Sequence, residues 1–388
     1  MGKVRIGVIG LGNMGAFHVS YMNKIEGAVL GAVCDVDRGR VERASAGGGV
    51  AGFGTYQELI GSGAVDAVVV ATPHFQHCEI ARLAFERGVH VLVEKPLAVT
   101  IGEARRTVEA AGKTNVKFGM MFQMRTFPMF RKVRELIGEG ELGEISRVTW
   151  LITDWFRTWT YYGSGGWRAT WAGEGGGVLL NQCPHNLDLL HWITGMMPNR
   201  ITAIASIGKT HPIEVEDEVS AILEYPNGAV GQFVTTTGEA PGTNRLEIAG
   251  DRGKIVLEKG KIVFTRTRKG VREIREKSLE AFANVEAWDI EVPYKADGAE
   301  SHTIITQNFV NAILQGEELI APAADGAKGL EIGNAMLMAG VTREAVNLPL
   351  DGEAYDRLLK DLTAKYGGKK TVAARADAVT DILASFKH

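Results

Sequence analysis

The sequence predicts a two-part α/β architecture. A doubly wound parallel sheet occupies residues 1–124. An α+β domain on a large, open, mixed but mainly antiparallel sheet occupies 125–350, and a helical extension follows over 351–388. Three observations carry this. The first third alternates short apolar strands with helical stretches, as βαβ units do. Gly10-Leu11-Gly12-Asn13-Met14-Gly15 sits between the first strand and the first helix. From residue 143 strands follow one another directly, with hairpin signals at Pro226-Asn227-Gly228 and Asp251-Arg252-Gly253.

Val4–Ile9 reads as the first strand and Ala16–Ile25 as the helix after it. In that setting GxGxxG has a physical job. Its first glycine permits the tight turn, the second admits a pyrophosphate, and the third lets helix and strand pack closely. The helix N-terminus then faces the phosphates, a Rossmann arrangement for a dinucleotide. A second strand, Val29–Cys34, ends in Asp35, twenty residues beyond Gly15. A carboxylate there can accept both hydroxyls of an adenosine ribose and repel a 2′-phosphate, which favours NAD. Arg38 and Arg40 keep NADP open, since a guanidinium can bind that phosphate.

Val65–Ala71 is a wholly apolar strand ending in Thr72-Pro73-His74-Phe75-Gln76-His77. A helix over Glu79–Arg87 precedes the run Val89–Val93, which stops at Glu94-Lys95-Pro96. Buried parallel strands read as continuous apolar runs, and proline cannot join a ladder. Lys95 therefore stands at the carboxyl end of a central strand, where open α/β sheets bind ligands. Apolar walls lower the pKa of a lysine and let it exchange protons near neutrality. A helix over Ile101–Gly112 and a strand over Val116–Phe122 complete the sheet. Gly10–Gly15, Thr72–His77, Glu94–Pro96 and Gln123 are expected to line one rim and to hold the cofactor.

After a helix over Pro128–Glu139, a long strand runs from Gly143 to Ile152. Further strands are read at Ile201–Ile207, Glu218–Tyr225, Ala229–Thr237, Leu246–Ala249, Lys254–Leu257 and Ile262–Thr265, then helices over Ile304–Leu314 and Lys328–Val346. Residues 154–177 are dense in glycine and aromatics (Trp159, Tyr161, Tyr162, Trp167, Trp171), which suits the CH faces and hydroxyls of a sugar or polyol. Asp154, Tyr161, Trp167 and Arg125 are candidate substrate contacts. Pro184 opens a helix that places His185 in its first turn. His185, Asp188 and His191 spread over about 120° of that helix, so no metal site is assigned.

The bulk numbers exclude several partners. The 388 residues are 45% apolar and 23% charged, with a net charge of −3. That balance argues against nucleic acid and anionic membranes, which select basic patches. No apolar run approaches the roughly 18 residues of a membrane span. The N-terminus enters a strand directly, without a signal-peptide pattern. Three scattered cysteines suggest neither a disulfide framework nor a zinc knot, and the expected location is the cytoplasm.

Taken together, GxGxxG, Thr72-Pro73 with His77, Glu94-Lys95-Pro96, Gly166-Trp167-Arg168, and Gly175-Gly176-Gly177 with His185 and Asp188 resemble the Gfo/Idh/MocA family. The resemblance implies an NAD(P)-dependent oxidoreductase acting on a secondary hydroxyl or keto group of a sugar, glycoside or cyclitol. It places Lys95 and His185 at the reacting carbon, puts Trp167 and Arg168 near the nicotinamide, and makes the Lys-Pro peptide often cis. One departure stands out: the family commonly has an aspartate four residues before the histidine, and this chain has Asn181. An amide can orient a hydroxyl but cannot stabilise an imidazolium as a carboxylate does. Lys95 and His185 are accordingly assigned the proton work, and Asn181 a substrate hydrogen bond. The family also contains NAD-dependent glycosidases that oxidise their sugar transiently, and non-catalytic sensors. An uncovered sheet face implies a homodimer or homotetramer.

Overall fold

The computed structural model describes residues 2–46, 48–295 and 301–373. Its first sheet contains β1 (Val4–Ile9), β2 (Ala28–Cys34), β3 (Ala51–Phe53), β4 (Ala67–Val70), β5 (His90–Val93) and β6 (Phe118–Met120). They are all parallel, in the order β3-β2-β1-β4-β5-β6. The helices between and after them are α1 (Asn13–Tyr21), α2 (Arg38–Ser45), α3 (Tyr56–Gly61), α4 (His77–Glu86), α5 (Ile101–Gly112) and α6 (Pro128–Gly138). Helices on both faces bury every residue of β4, which explains its unbroken Ala-Val-Val-Val. Local chemistry sets the helix starts: Thr55, Asp37 and Thr100 cap α3, α2 and α5 by accepting backbone N–H bonds. Strand order reverses between β1 and β4. In open α/β sheets that reversal is where a ligand crevice forms, at the carboxyl ends of the strands.

The second sheet holds β7 (Ile145–Ile152), β8 (Arg200–Ile207), β9 (Glu216–Glu224), β10 (Val230–Thr236), β11 (Asn244–Gly250), β12 (Gly253–Glu258), β13 (Lys261–Thr267), β14 (Ala287–Val292) and β15 (Val346–Asn347). Their order is β14-β13-β12-β11-β7-β10-β9-β8-β15, and only β7 and β10 pair in parallel. The accompanying helices are α7 (Trp159–Gly163), α8 (Pro184–Thr194), α9 (Val271–Lys277), α10 (Ser301–Gln315), α11 (Ala323–Thr342) and α12 (Gly352–Tyr366). Val148, Trp150 and Ile152 of β7 point inward and are buried, while Ile204, Ile222 and Val230 stand exposed on the other face. No described helix is long and apolar enough to cross a membrane.

Several expectations need correction. β14 and α9 are missing from the sequence reading because their residues bury little, so neither carries a periodic apolar signal. The last long helix begins at Ala323 and stops at Thr342. Arg343 adopts φ 64° as its left-handed cap, and Val346 lies in β15. α10 does not stay with the second sheet: Ile305, Phe309 and Val310 pack with Val4, Ile6 and Val8 under the first. Among the described residues the extension holds one helix, α12, capped by Asp351. Its expected continuation over 374–388 lies outside the described residues.

Candidate active site

At the β1 end of the crevice, Gly10 has φ 88°, and a Cβ there would meet the Ala71 carbonyl oxygen at 2.7 Å. A Cβ at Gly15 would collide with the Gly10 carbonyl, so only glycine lets α1 approach β1. Gly12 instead faces open space. It caps α1 without a side-chain bond, which leaves the N–H groups of the first turn, with Asn13 and Met14, directed to that space. Asp35 accepts from Leu11 N at 2.6 Å and from Asp37 N at 2.8 Å. Each carboxylate oxygen keeps a lone pair for a ribose hydroxyl. These residues fit NAD. Arg40 rather than Arg38 comes near Asp35, at 3.5 Å, while Arg38 is exposed at the start of α2. Asp35→Ala is expected to weaken NADH binding about tenfold to a hundredfold, the worth of hydrogen bonds to a charged group. Fluorescence titration with NADH checks this; an unchanged Kd would remove Asp35 from the cofactor site.

The ends of β4, β5 and β6 supply the rest of the rim. His77 is buried, with its ring nitrogens 2.8 Å from the carbonyl oxygens of Pro96 and Thr72. It ties two strand-end turns together from behind rather than lining the crevice. Thr72 Oγ1 is buried with no partner, and Pro73 leads into the turn that carries His74. His74 meets the Glu174 carbonyl at 3.1 Å and packs edge-on against Trp167. Burial, then the charges of His77 and Lys95, hold its pKa well below the usual histidine value. Glu94 bonds His18 Nε2 at 2.8 Å. Burial pushes the Glu94 carboxyl up, but the His18 bond and nearby positive charge outweigh it and bring the pKa to about 2. The Lys95–Pro96 peptide is cis. Lys95 Nζ donates to the Asn181 carbonyl oxygen at 2.7 Å, and burial lowers its pKa below 10.5 against the raising effect of Glu94 and Glu174.

The second domain closes the crevice from the other side. Glu216 Oε1 accepts N–H bonds from Gly177 and Leu179, at 2.9 and 3.1 Å, which fixes the triple-glycine turn ahead of α8. Burial raises the Glu216 carboxyl to about 7. His185 follows in the first turn of α8. Its Nε2 lies 3.2 Å from the Gln123 amide, and its Nδ1 is buried without a partner among the described residues. Burial, then the charge of Lys95, depresses its pKa to about 3, so the ring is neutral at pH 7. Gln123 Oε1 is also without a partner. Tyr161 donates to Asn181 Oδ1 at 3.2 Å and accepts from Arg168 at 3.3 Å. The Arg168 guanidinium lies over Trp167, 4.6 Å from the ring centroid. Asp154 Oδ2 accepts from Asn244 at 3.1 Å, while Oδ1 is buried and unpaired.

Some candidates fall elsewhere. Arg125 is 1% exposed: it bonds both oxygens of Asp188, at 2.8 and 2.6 Å, and reaches Asp325 and the Ile320 carbonyl. Arg125 therefore locks the segment after β6 to α8, with four of its five N–H donors spent on these protein partners. The side chain of Asn181 is largely taken up by Tyr161, Gln182 and Glu174, so its expected substrate bond rests on one remaining amide hydrogen. Trp171 and Tyr162 belong to the core and Trp159 faces outward, so of the five aromatics only Tyr161 and Trp167 sit beside Arg168. His185 turns to Gln123 while Asp188 and His191 turn to each other, so the three do not converge. Glu174, Glu216 and His18 were missed. A glutamate directly before three glycines was the one signal available.

Residues 4–122 match the oxidoreductase family with an NAD-binding Rossmann fold, and residues 130–256 match the GFO/IDH/MocA C-terminal domain. The chain is 28% identical to the 1,5-anhydro-D-fructose reductase of Ensifer adhaerens, over 75% of this chain and 82% of that one. It is 24% identical to the scyllo-inositol 2-dehydrogenase (NAD(+)) of Bacillus subtilis, over 86% and 93%. The WlbA dehydrogenase of Bordetella pertussis, solved with NADH and UDP-GlcNAcA, superposes with a TM-score of 0.75 at 26% identity, covering 90% of this chain and all of that one. The two matches cover the first sheet and most strands of the second, and include the GxGxxG turn, Lys95 and His185: the chain belongs to the GFO/IDH/MocA family of NAD-dependent oxidoreductases.

Proposed function

We propose that this protein interconverts a secondary hydroxyl and a ketone on a sugar, glycoside or cyclitol, with NAD as the hydride partner. One observation carries the reading. Lys95 Nζ is held by Asn181 close enough for its charge to bear on His185, and His185 Nδ1, Thr72 Oγ1 and Gln123 Oε1 are buried without a partner among the described residues. Buried polar atoms without partners cost free energy unless a ligand or water meets them, and a polyhydroxylated ligand would. The relatives' names point the same way: inositol, anhydrofructose and a nucleotide sugar.

NAD held at the Gly10–Gly15 turn and by Asp35 would supply the hydride acceptor for the substrate C–H in the oxidative direction. The residues then have separate tasks. Lys95, with its lowered pKa, takes the hydroxyl proton. His185, neutral across the working range, hydrogen-bonds the same oxygen through Nδ1 and orients it. Trp167 and Tyr161 offer ring faces to the sugar's CH groups. The expected setting is the cytoplasm, where the buried free thiols of Cys34, Cys78 and Cys183 stay reduced. The exposed Ile204, Ile222 and Val230 support a homodimer or homotetramer through the second sheet.

The test is NADH formation at 340 nm with a panel of inositols, aldoses and glycosides, each with NAD and NADP. Turnover of one class with NAD is expected. Silence across the panel by a protein that binds NADH tightly would overturn the reading.

A further inference from the structure

Beyond the assignment of Lys95 and His185, and resting on that reading, the position of Glu174 calls for a role. We propose that Glu174 is a positioning residue for proton transfer, holding Lys95 through Asn181 and supplying, with Glu94, negative charge that balances its ammonium. Asn181 bridges the two groups. Its side-chain Nδ2 donates to Glu174 Oε1, and its backbone oxygen accepts from Lys95 Nζ at 2.7 Å. The other Glu174 oxygen accepts from Ala169 N at 2.6 Å. Glu174 is 2% exposed, and among the described residues no cation is hydrogen-bonded to it.

A buried carboxylate with no bonded cation is costly unless a charge nearby compensates it. The cations that face Glu174 are Arg168 and Lys95, with Lys370 also within its field. Lys95 in turn is faced by Glu94, Glu174, Arg157 and Arg168, and its charge is felt at His74, His77 and His185. Of the two carboxylates, Glu94 is already bonded to His18. Glu94 still exerts the larger pull on Lys95, and Glu174 adds a second carboxylate that reaches it through the Asn181 bridge. No proton passes to Glu174 in this arrangement: the substrate hydroxyl gives its proton to Lys95 Nζ, and Glu174 stabilises the ammonium so formed.

A carboxylate that merely anchored the loop over 169–177 would leave the proton affinity of Lys95 unchanged, which gives a direct test. Lys95 is titrated by competitive acetylation with acetic anhydride, read by peptide mass spectrometry from pH 5 to 10. That measurement needs no substrate, so it stands even if the panel assay yields no turnover. In Glu174→Gln the Lys95 midpoint is expected to fall by about one to three pH units, the usual effect of losing an adjacent opposite charge. The acid limb of kcat/KM, measured on whichever substrate the wild type turns over, is expected to move down with it. Adding Asn181→Asp should return both toward wild type by restoring a carboxylate beside Lys95. A drop in kcat with an unmoved midpoint and limb would overturn the proposal, as would unchanged activity. Where Glu174→Gln gives no soluble protein, Glu174→Asp takes its place, drawing the carboxylate one methylene back from Asn181. A Lys95 midpoint below wild type is then expected, and an unmoved midpoint overturns the proposal.

Discussion

Lys95→Ala is expected to lower kcat by about 10²–10⁴-fold, the usual contribution of a positioned proton acceptor, while NADH binding stays nearly unchanged. The separation follows from geometry. Lys95 Nζ is held by the Asn181 carbonyl on the second-domain side of the crevice, whereas the dinucleotide features, Gly12 and Asp35, lie at the ends of β1 and β2. A fall confined to kcat means the interaction exists only as the proton moves; a rise in KM alone would mean simple binding. Lys95→Arg should not rescue, because a guanidinium does not release its proton near neutrality. The pH profile sharpens the assignment. Burial brings the lysine pKa below 10.5, so the free-amine form needed for oxidation is present at lower pH than on an exposed lysine. The acid limb of kcat/KM should therefore reflect Lys95. His185, with a pKa of about 3, contributes no limb near neutrality. If Lys95→Ala keeps a tenth or more of wild-type kcat, the proton acceptor is some other group.

What could be read from the sequence was local. Gly10–Gly15 and the Val-Leu-Val-Glu-Lys-Pro run carry their geometry within a few residues, because a tight turn needs glycine and a buried parallel strand needs unbroken apolar side chains. The departure at Asn181 was legible too, but its consequence was not. The chain Glu174–Asn181–Lys95 joins residues 86 positions apart, and Glu216 fixes the triple-glycine turn across 39. No periodicity announces such bonds. Arg125 shows the opposite error: a polar residue following a strand end looks like a ligand contact until its buried partners are seen. Among the aromatics, composition suggested a sugar platform, yet Trp171 and Tyr162 were needed to fill the core and only packing could sort them.

Loss of the Arg125–Asp188 pair is expected to produce the largest fall in stability. Both side chains are 1% exposed, and the guanidinium grips the carboxylate with two bonds, at 2.8 and 2.6 Å. Burial alone would push the Asp188 carboxyl up, but the Arg125 bonds reverse this and hold it below its usual value. Breaking such a pair from one side strands a charge in the interior and costs about 3–5 kcal/mol. The two halves are not equivalent. In Asp188→Ala the guanidinium still has Asp325 at 3.0 Å and the Ile320 carbonyl. In Arg125→Ala, the one ionisable partner left to Asp188 among the described residues is His191, at 3.4 Å. Arg125→Ala should therefore be the more damaging, and Asp325→Ala, which removes a partly exposed carboxylate, the least. The neutral pair Arg125→Met/Asp188→Leu should recover much of the loss, since it leaves no stranded charge. Calorimetric melting at one fixed scan rate ranks the four variants; a melting temperature for Arg125→Ala equal to wild type would show that the pair carries no net stability. Because Arg125 lies two residues after Gln123 and Asp188 one helical turn after His185, Arg125→Ala should also disturb the Gln123–His185 contact and lower kcat in protein that remains folded.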